Sequence, residues 1–172
     1  MSAEITITIS RASVLADMKV KSHAEVAAIV DEKARYLAEL GSEKEAEANQ
    51  GITDAAADIE AYLRSILTYD TAVQTADDAY DTTESIIYKL SVSDRKKYGL
   101  AKALSKEIHA YIVDSALARF YDAVSHPELS AVHLKRLTAE LTAIDNLFFN
   151  KTEPTAPSYE PEPEPEPETD EP

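Results

Sequence analysis

The apolar positions along this chain alternate between a period of two and a period near 3.6, and each switch predicts an element. Glu4 to Ile9 reads E-I-T-I-T-I, with Ile5, Ile7 and Ile9 on one face and Thr6 and Thr8 on the other. Strict alternation in β-branched residues predicts a strand. Ser85 to Ser91, S-I-I-Y-K-L-S, repeats the alternation with Ile86, Tyr88 and Leu90 on one face. A lone strand leaves its backbone unsatisfied, so the two are expected to pair in a small sheet. Such a sheet keeps open edges that a neighbouring subunit can complete.

Every other periodic segment is helical. Val14, Leu15 and Met18 form a short apolar stripe in Arg11 to Val20, after which Ser22 and Glu25 read as an S-x-x-E capping box opening a new helix. That helix is expected to carry Val26, Ile29, Val30, Lys33, Leu37 and Leu40 and to stop at Gly41. Ser42 to Gly51 is polar and Glu-rich, which predicts a loop or a frayed extension. Thr53 is the expected N-cap of the next helix, whose stripe is Ile52, Ala56, Ile59, Leu63, Ile66 and Leu67. Asp70 to Glu84, rich in Asp and Thr, reads as the connection into the second strand.

Asp94 then caps a turn, and the longest helix runs through Val124. Leu100, Leu104, Ile108, Tyr111, Ile112, Leu117, Phe120, Tyr121 and Val124 line its buried side, and Gly99 weakens its start. Ser125 to Glu128 reads as a break and restart, with Pro127 near the first turn. The last helix carries Leu134, Leu137, Leu141, Ile144 and Phe148 in a heptad-like seam ending at Asn150. The short break leaves little chain between the two helices, so they are expected to form an antiparallel hairpin.

Composition narrows the class. A chain of 172 residues that is 44% hydrophobic suits one domain with a core, and only three glycines, with the prolines gathered near the end, favour helix. The fold expected is mainly α: a bundle of about four to five helices over residues 1–152, with a small two-stranded β element. Residues 153–172 form a separate tail. The absence of cysteine excludes disulfide scaffolds, thiolate metal sites and cysteine nucleophiles. No apolar run approaches the ~20 residues of a membrane span, and the start of the chain lacks the basic-then-apolar order of a signal peptide, so a soluble protein is expected.

The net charge is −15, and eight of the acids lie between Glu153 and Pro172 without a Lys or Arg; without them the body still carries −7. Both parts repel phosphate, so neither direct nucleic-acid binding nor binding to anionic membrane is expected. Arg95-Lys96-Lys97 is too short for a nucleic-acid patch and reads as a solvated helix start. The Pro-Glu alternation from Glu160 to Glu168 predicts an extended, disordered acidic tail. It serves either as a solubilising appendage or as a docking peptide anchored by Tyr159.

Catalytic and metal-binding patterns are weak. His109 sits at the border of an apolar face, and His126 and His133 flank Glu128 without an H-E-x-x-H or a third ligand. Asp70, Asp77, Asp78, Asp81 and Glu84 lack the glycine and spacing of an EF-hand. Gly41, Gly51 and Gly99 build no phosphate loop, and no G-x-S-x-G is present. No enzyme and no cofactor is expected.

The order of elements carries a resemblance. Ile7 to Asp17, I-T-I-S-R-A-S-V-L-A-D, runs a strand into a helix; Tyr88-Lys89-Leu90 closes a strand before a helix containing I-H-A-Y-I-V-D-S-A-L-A-R-F-Y at Ile108 to Tyr121; and a final helix ends in L-F-F-N-K-T-E-P-T at Leu147 to Thr155. From Glu4 to Pro154 this resembles small proteins encoded among the head and tail genes of phages and prophages of gut Bacteroidetes. The chain departs from that pattern in its Lys-poor end, where Lys151 is the one base after Arg136. The resemblance implies a virion structural protein of the neck, a head-completion or adaptor ring linking portal and tail, made in the host cytoplasm and carried in the virion. Its partners would be copies of itself and portal or tail proteins. The interface candidates are Ile5, Ile7, Ile9, Ile86 and Tyr88 on the strands and Tyr159 in the tail. The alternative is a soluble helical adaptor or regulatory module recruiting a partner through the acidic tail.

Overall fold

The computed structural model describes residues 2–67, 85–93 and 97–149. The chain is mainly helical, with one antiparallel two-stranded sheet. In order, the elements are β1 (Ser2–Ser10), α1 (Arg11–Val26), α2 (Glu32–Ala38), a 3-10 turn (Ser42–Lys44), α3 (Glu45–Leu67), β2 (Ser85–Ser93), α4 (Lys97–Ala123) and α5 (Pro127–Phe149). The expectations placed on Asp70 to Glu84, on Asp94 and on the tail from Glu153, Tyr159 included, lie outside the described residues.

The two strands pair in the register Ile5 with Leu90, Ile7 with Tyr88 and Ile9 with Ile86. The alternation decides which face is buried: Ile5, Ile7, Ile9, Ile86, Tyr88, Leu90 and Val92 turn inward, while Glu4, Thr6, Thr8 and Lys89 remain exposed. The Tyr88 hydroxyl sits in the core and donates to the Ala56 carbonyl oxygen at 3.0 Å, tying the sheet to α3.

The centre of the molecule is α4, which packs against α1, α3, α5 and the sheet. From Tyr111 to Ala118 every residue is buried, as befits a helix wrapped on all sides. The α4–α5 hairpin turns through Ser125, whose φ of 62° lies in the left-handed region, with His126 N–H donating to Tyr121 O at 2.8 Å. Gly51 of α3 faces Ala116 of α4, where a Cβ would stand 3.4 Å from the Ala116 carbonyl oxygen, an ordinary van der Waals contact.

Three boundaries differ from those expected. Ser22 does not open a helix; α1 runs through it to Val26, and Asp31 caps the short α2 by accepting from Ala34 N–H at 2.8 Å. The buried Ser22 hydroxyl instead accepts from Leu40 N–H at 2.9 Å and donates to Ala38 O, holding the end of α2 against α1. The polar stretch after Gly41 is a 3-10 turn and then the first turns of α3, so Thr53 is an interior residue that receives a hydrogen bond from the buried Arg11 guanidinium at 3.0 Å. A long helix supports a polar opening because Ala48 and Ile52 already anchor it in the core. Lys44 then closes α2 from outside, its ammonium donating to Tyr36 O at 2.6 Å and Glu39 O at 2.7 Å while lying over the Phe120 ring.

Candidate functional site

Two places stand out: the strand pair singled out from sequence, and a buried polar cluster that was not. On the strands, Ile5, Ile7, Ile9, Ile86 and Tyr88 are brought together on one face, and that face is the inner one. Their side chains belong to the core, so what the pair offers a neighbour is its backbone edges and its outer face. Among the described residues no third strand joins either edge. Glu4 and Lys89 stand on the outer face, and neither side chain forms an ion pair or hydrogen bond with a described residue.

The polar cluster sits where α1, α4 and α5 meet. His133 of α5 is 0% exposed, and its ring is stacked on Tyr121 with centroids 5.5 Å apart. Its Nδ1 lies 2.6 Å from Asp114 Oδ1 of α4 and its Nε2 lies 2.9 Å from Glu25 Oε2 of α1. Both nitrogens donate at once only when the ring carries both protons; otherwise one of the two carboxyl groups must hold a proton itself. Lys21 Nζ adds a second hydrogen bond to Asp114 at 2.9 Å, the Tyr121 hydroxyl donates to Glu25 at 3.0 Å, and Arg136 Nη1 approaches Glu25 at 3.4 Å and Asp114 at 3.5 Å.

Burial alone would push the Asp114 carboxyl up, but hydrogen bonds from His133, Glu140 and Lys21 outweigh it and hold Asp114 well below the usual carboxylate range. Glu140 moves the other way, to about 8, through burial first and then through its hydrogen bond to Asp114 and that neighbour's charge. The pair is thus driven apart, Glu140 toward the protonated form and Asp114 toward the carboxylate. Burial likewise raises the Tyr121 hydroxyl out of reach of ionisation. Among the described residues, Ser130 Oγ and Glu140 Oε2 are buried without a hydrogen-bond partner.

Chemically this arrangement holds helices together. Both His133 nitrogens are engaged and the ring is sealed from solvent, so neither is presented to a reacting group. No group of three or more His, Asp or Glu among the described residues is placed to hold a metal ion, and no helix among them is long and apolar enough to cross a membrane.

The remaining histidines each meet a single carboxylate outside this cluster, His23 Nδ1 lying 2.8 Å from Glu39. His109 Nε2 lies 2.8 Å from Asp17 at the border of α4, and His126 Nδ1 lies 3.1 Å from Glu128, so His126 and His133 do not converge. The sequence pattern reads Glu25 as part of a capping box and does not single out Asp114. The available signal was the buried stripe of α5: Ser130, His133, Ile144 and Phe148 are buried, whereas Leu134, assigned to the seam, is 51% exposed. The stripe is polar in its first half because it faces Asp114 and Glu25. No family model, curated protein or solved structure matches the chain.

Proposed function

We propose that this chain is a non-catalytic assembly subunit, and specifically a ring component of a phage neck that links portal and tail. One observation carries the assembly reading: among the described residues a pair of nine-residue strands forms a sheet that no third strand joins at either edge. Unpaired edges of this length template pairing with a further strand. The titratable cluster at the helix junction supports a structural role, since its histidine is closed on both sides by carboxylates and by the Tyr121 ring. The phage-neck identity comes from the resemblance of the strand–helix order. An acidic body with a still more acidic tail suits a ring beside DNA that must slide and not adhere.

Mass measurement of the full-length chain, alone and mixed with portal and tail-ring proteins, tests the proposal. A closed oligomer, or a complex with a virion protein, is the expected result. A strict monomer that binds no virion protein overturns it and leaves the adaptor reading, which the lone Tyr159 among the tail's acids favours.

A further inference from the structure

Resting on the assembly reading, we propose that the subunits join head to tail, the outer edge of β2 in one copy pairing antiparallel with the outer edge of β1 in the next, in the register that sets Lys89 opposite the partner's Glu4. The occupant of the edge is thus a second copy of this chain, and three features of the strand pair select it. First, β1 and β2 run antiparallel. A neighbour in the same orientation therefore presents its β1 antiparallel to β2, and the alternation continues without a break.

Second, the burial pattern limits the register. Inner side chains must meet inner side chains, and a slip by one residue would turn the isoleucines outward. Within the chain Lys89 faces Thr6 and Glu4 faces Ser91. Moving by two residues at the new interface keeps the faces matched, placing Tyr88 against the partner's Ile5 and Ile86 against the partner's Ile7. Third, that shift brings together two charges of opposite sign that have no described partner in the single chain, Lys89 and Glu4. A two-fold pairing of β2 with itself about its midpoint would instead set Lys89 against its own copy, and a two-fold pairing of β1 with itself would leave Lys89 unused. Head-to-tail pairing also consumes both edges at once, which a ring requires.

Because the chain has no cysteine, cross-linking reads the register directly. In the proposed register Thr8 stands opposite the partner's Ser85, whereas within one chain Thr8 faces Ile87 and Ser85 faces Ser10. Full-length T8C and S85C, mixed and oxidised, should give a disulfide-linked dimer that neither variant gives alone. K89E should weaken self-association by about tenfold in sedimentation equilibrium, and E4K/K89E should restore it. Circular dichroism of each variant verifies that these outer-face changes leave the fold intact. If the parent self-associates while T8C cross-links to itself, or while K89E has no effect, the register is wrong and the assembly reading survives. A parent that stays monomeric at every concentration overturns the assembly reading, and this register with it.

Discussion

Replacing His133 by alanine is the sharpest test of the helix junction. The imidazole holds two carboxylates from two other helices, at 2.6 Å and 2.9 Å, and is itself fully buried. Its loss leaves Asp114 and Glu25 facing a cavity beside the Tyr121 ring. Breaking a buried charged pair by removing one partner costs about 3–5 kcal/mol. Lys21 and Arg136 remain to compensate part of the charge, since Lys21 keeps its 2.9 Å hydrogen bond to Asp114. The expected loss is therefore about 3 kcal/mol, which for a domain of this size lowers Tm by roughly 6–12 °C. Helix ellipticity followed through thermal and guanidinium unfolding at pH 7 measures it. A second variant, D114A, closes a double-mutant cycle in which the coupling should exceed about 1 kcal/mol, because the two residues share one hydrogen bond. A loss below about 1 kcal/mol for H133A, or strict additivity in the cycle, would refute the claim that this contact binds α5 to α4.

The same cluster predicts a pH dependence of defined sign. Glu140 is raised to about 8 in the folded chain, so the stability it contributes is complete below its ordinary value and is lost as pH rises toward 8; urea midpoints between pH 5 and 9 should fall for the parent and stay flatter for E140Q. Asp114 is lowered and contributes the opposite way, its stabilisation present at neutral pH and lost on acidification, so D114N should show a weaker acid transition than the parent. In the hairpin, I108A should cost about 2–5 kcal/mol as a fully buried truncation, and L141A clearly less because Leu141 is only partly buried; equal losses in chemical unfolding would contradict the packing. S22A should cost about 1–3 kcal/mol by orphaning Leu40 N–H, and hydrogen exchange at Leu40 should accelerate with it.

What was legible in the sequence is what apolar periodicity encodes. The period-two runs became β1 and β2 in the expected pairing, although Ile5, Ile7, Ile9, Ile86 and Tyr88, offered as interface residues, fill the core instead; the last helix packs on α4 as the short break required, with Ile144 and Phe148 buried. Boundaries failed where a polar residue had two physically sound uses. Ser22 and Glu25 fit a capping box in spacing, yet Ser22 bonds across to Leu40 and Glu25 reaches His133, more than a hundred residues along the chain. A hydroxyl or carboxylate three residues from its partner looks the same in sequence whether it caps locally or binds a distant helix. Thr53 failed for the same reason, being an acceptor for Arg11 inside a helix that starts at Glu45.

The buried cluster escaped notice because hydrophobic patterning treats a polar residue on an inner face as a gap. His133 and Ser130 interrupt the apolar stripe of α5, and Leu134 beside them supplied a plausible seam in their place. Asp114 likewise sits within an apolar run of α4, where a carboxylate has no inexpensive burial unless positive or proton-donating groups converge on it. That convergence comes from Lys21 on α1 and from His133 and Glu140, two turns apart on α5, helices far from each other in sequence. Apolar contacts alone would let α5 slide or rotate over α4 with small changes in buried area. A carboxylate that must meet a lysine from one helix and a histidine from another allows one alignment, so the polar half of the stripe sets the register that the apolar half then packs.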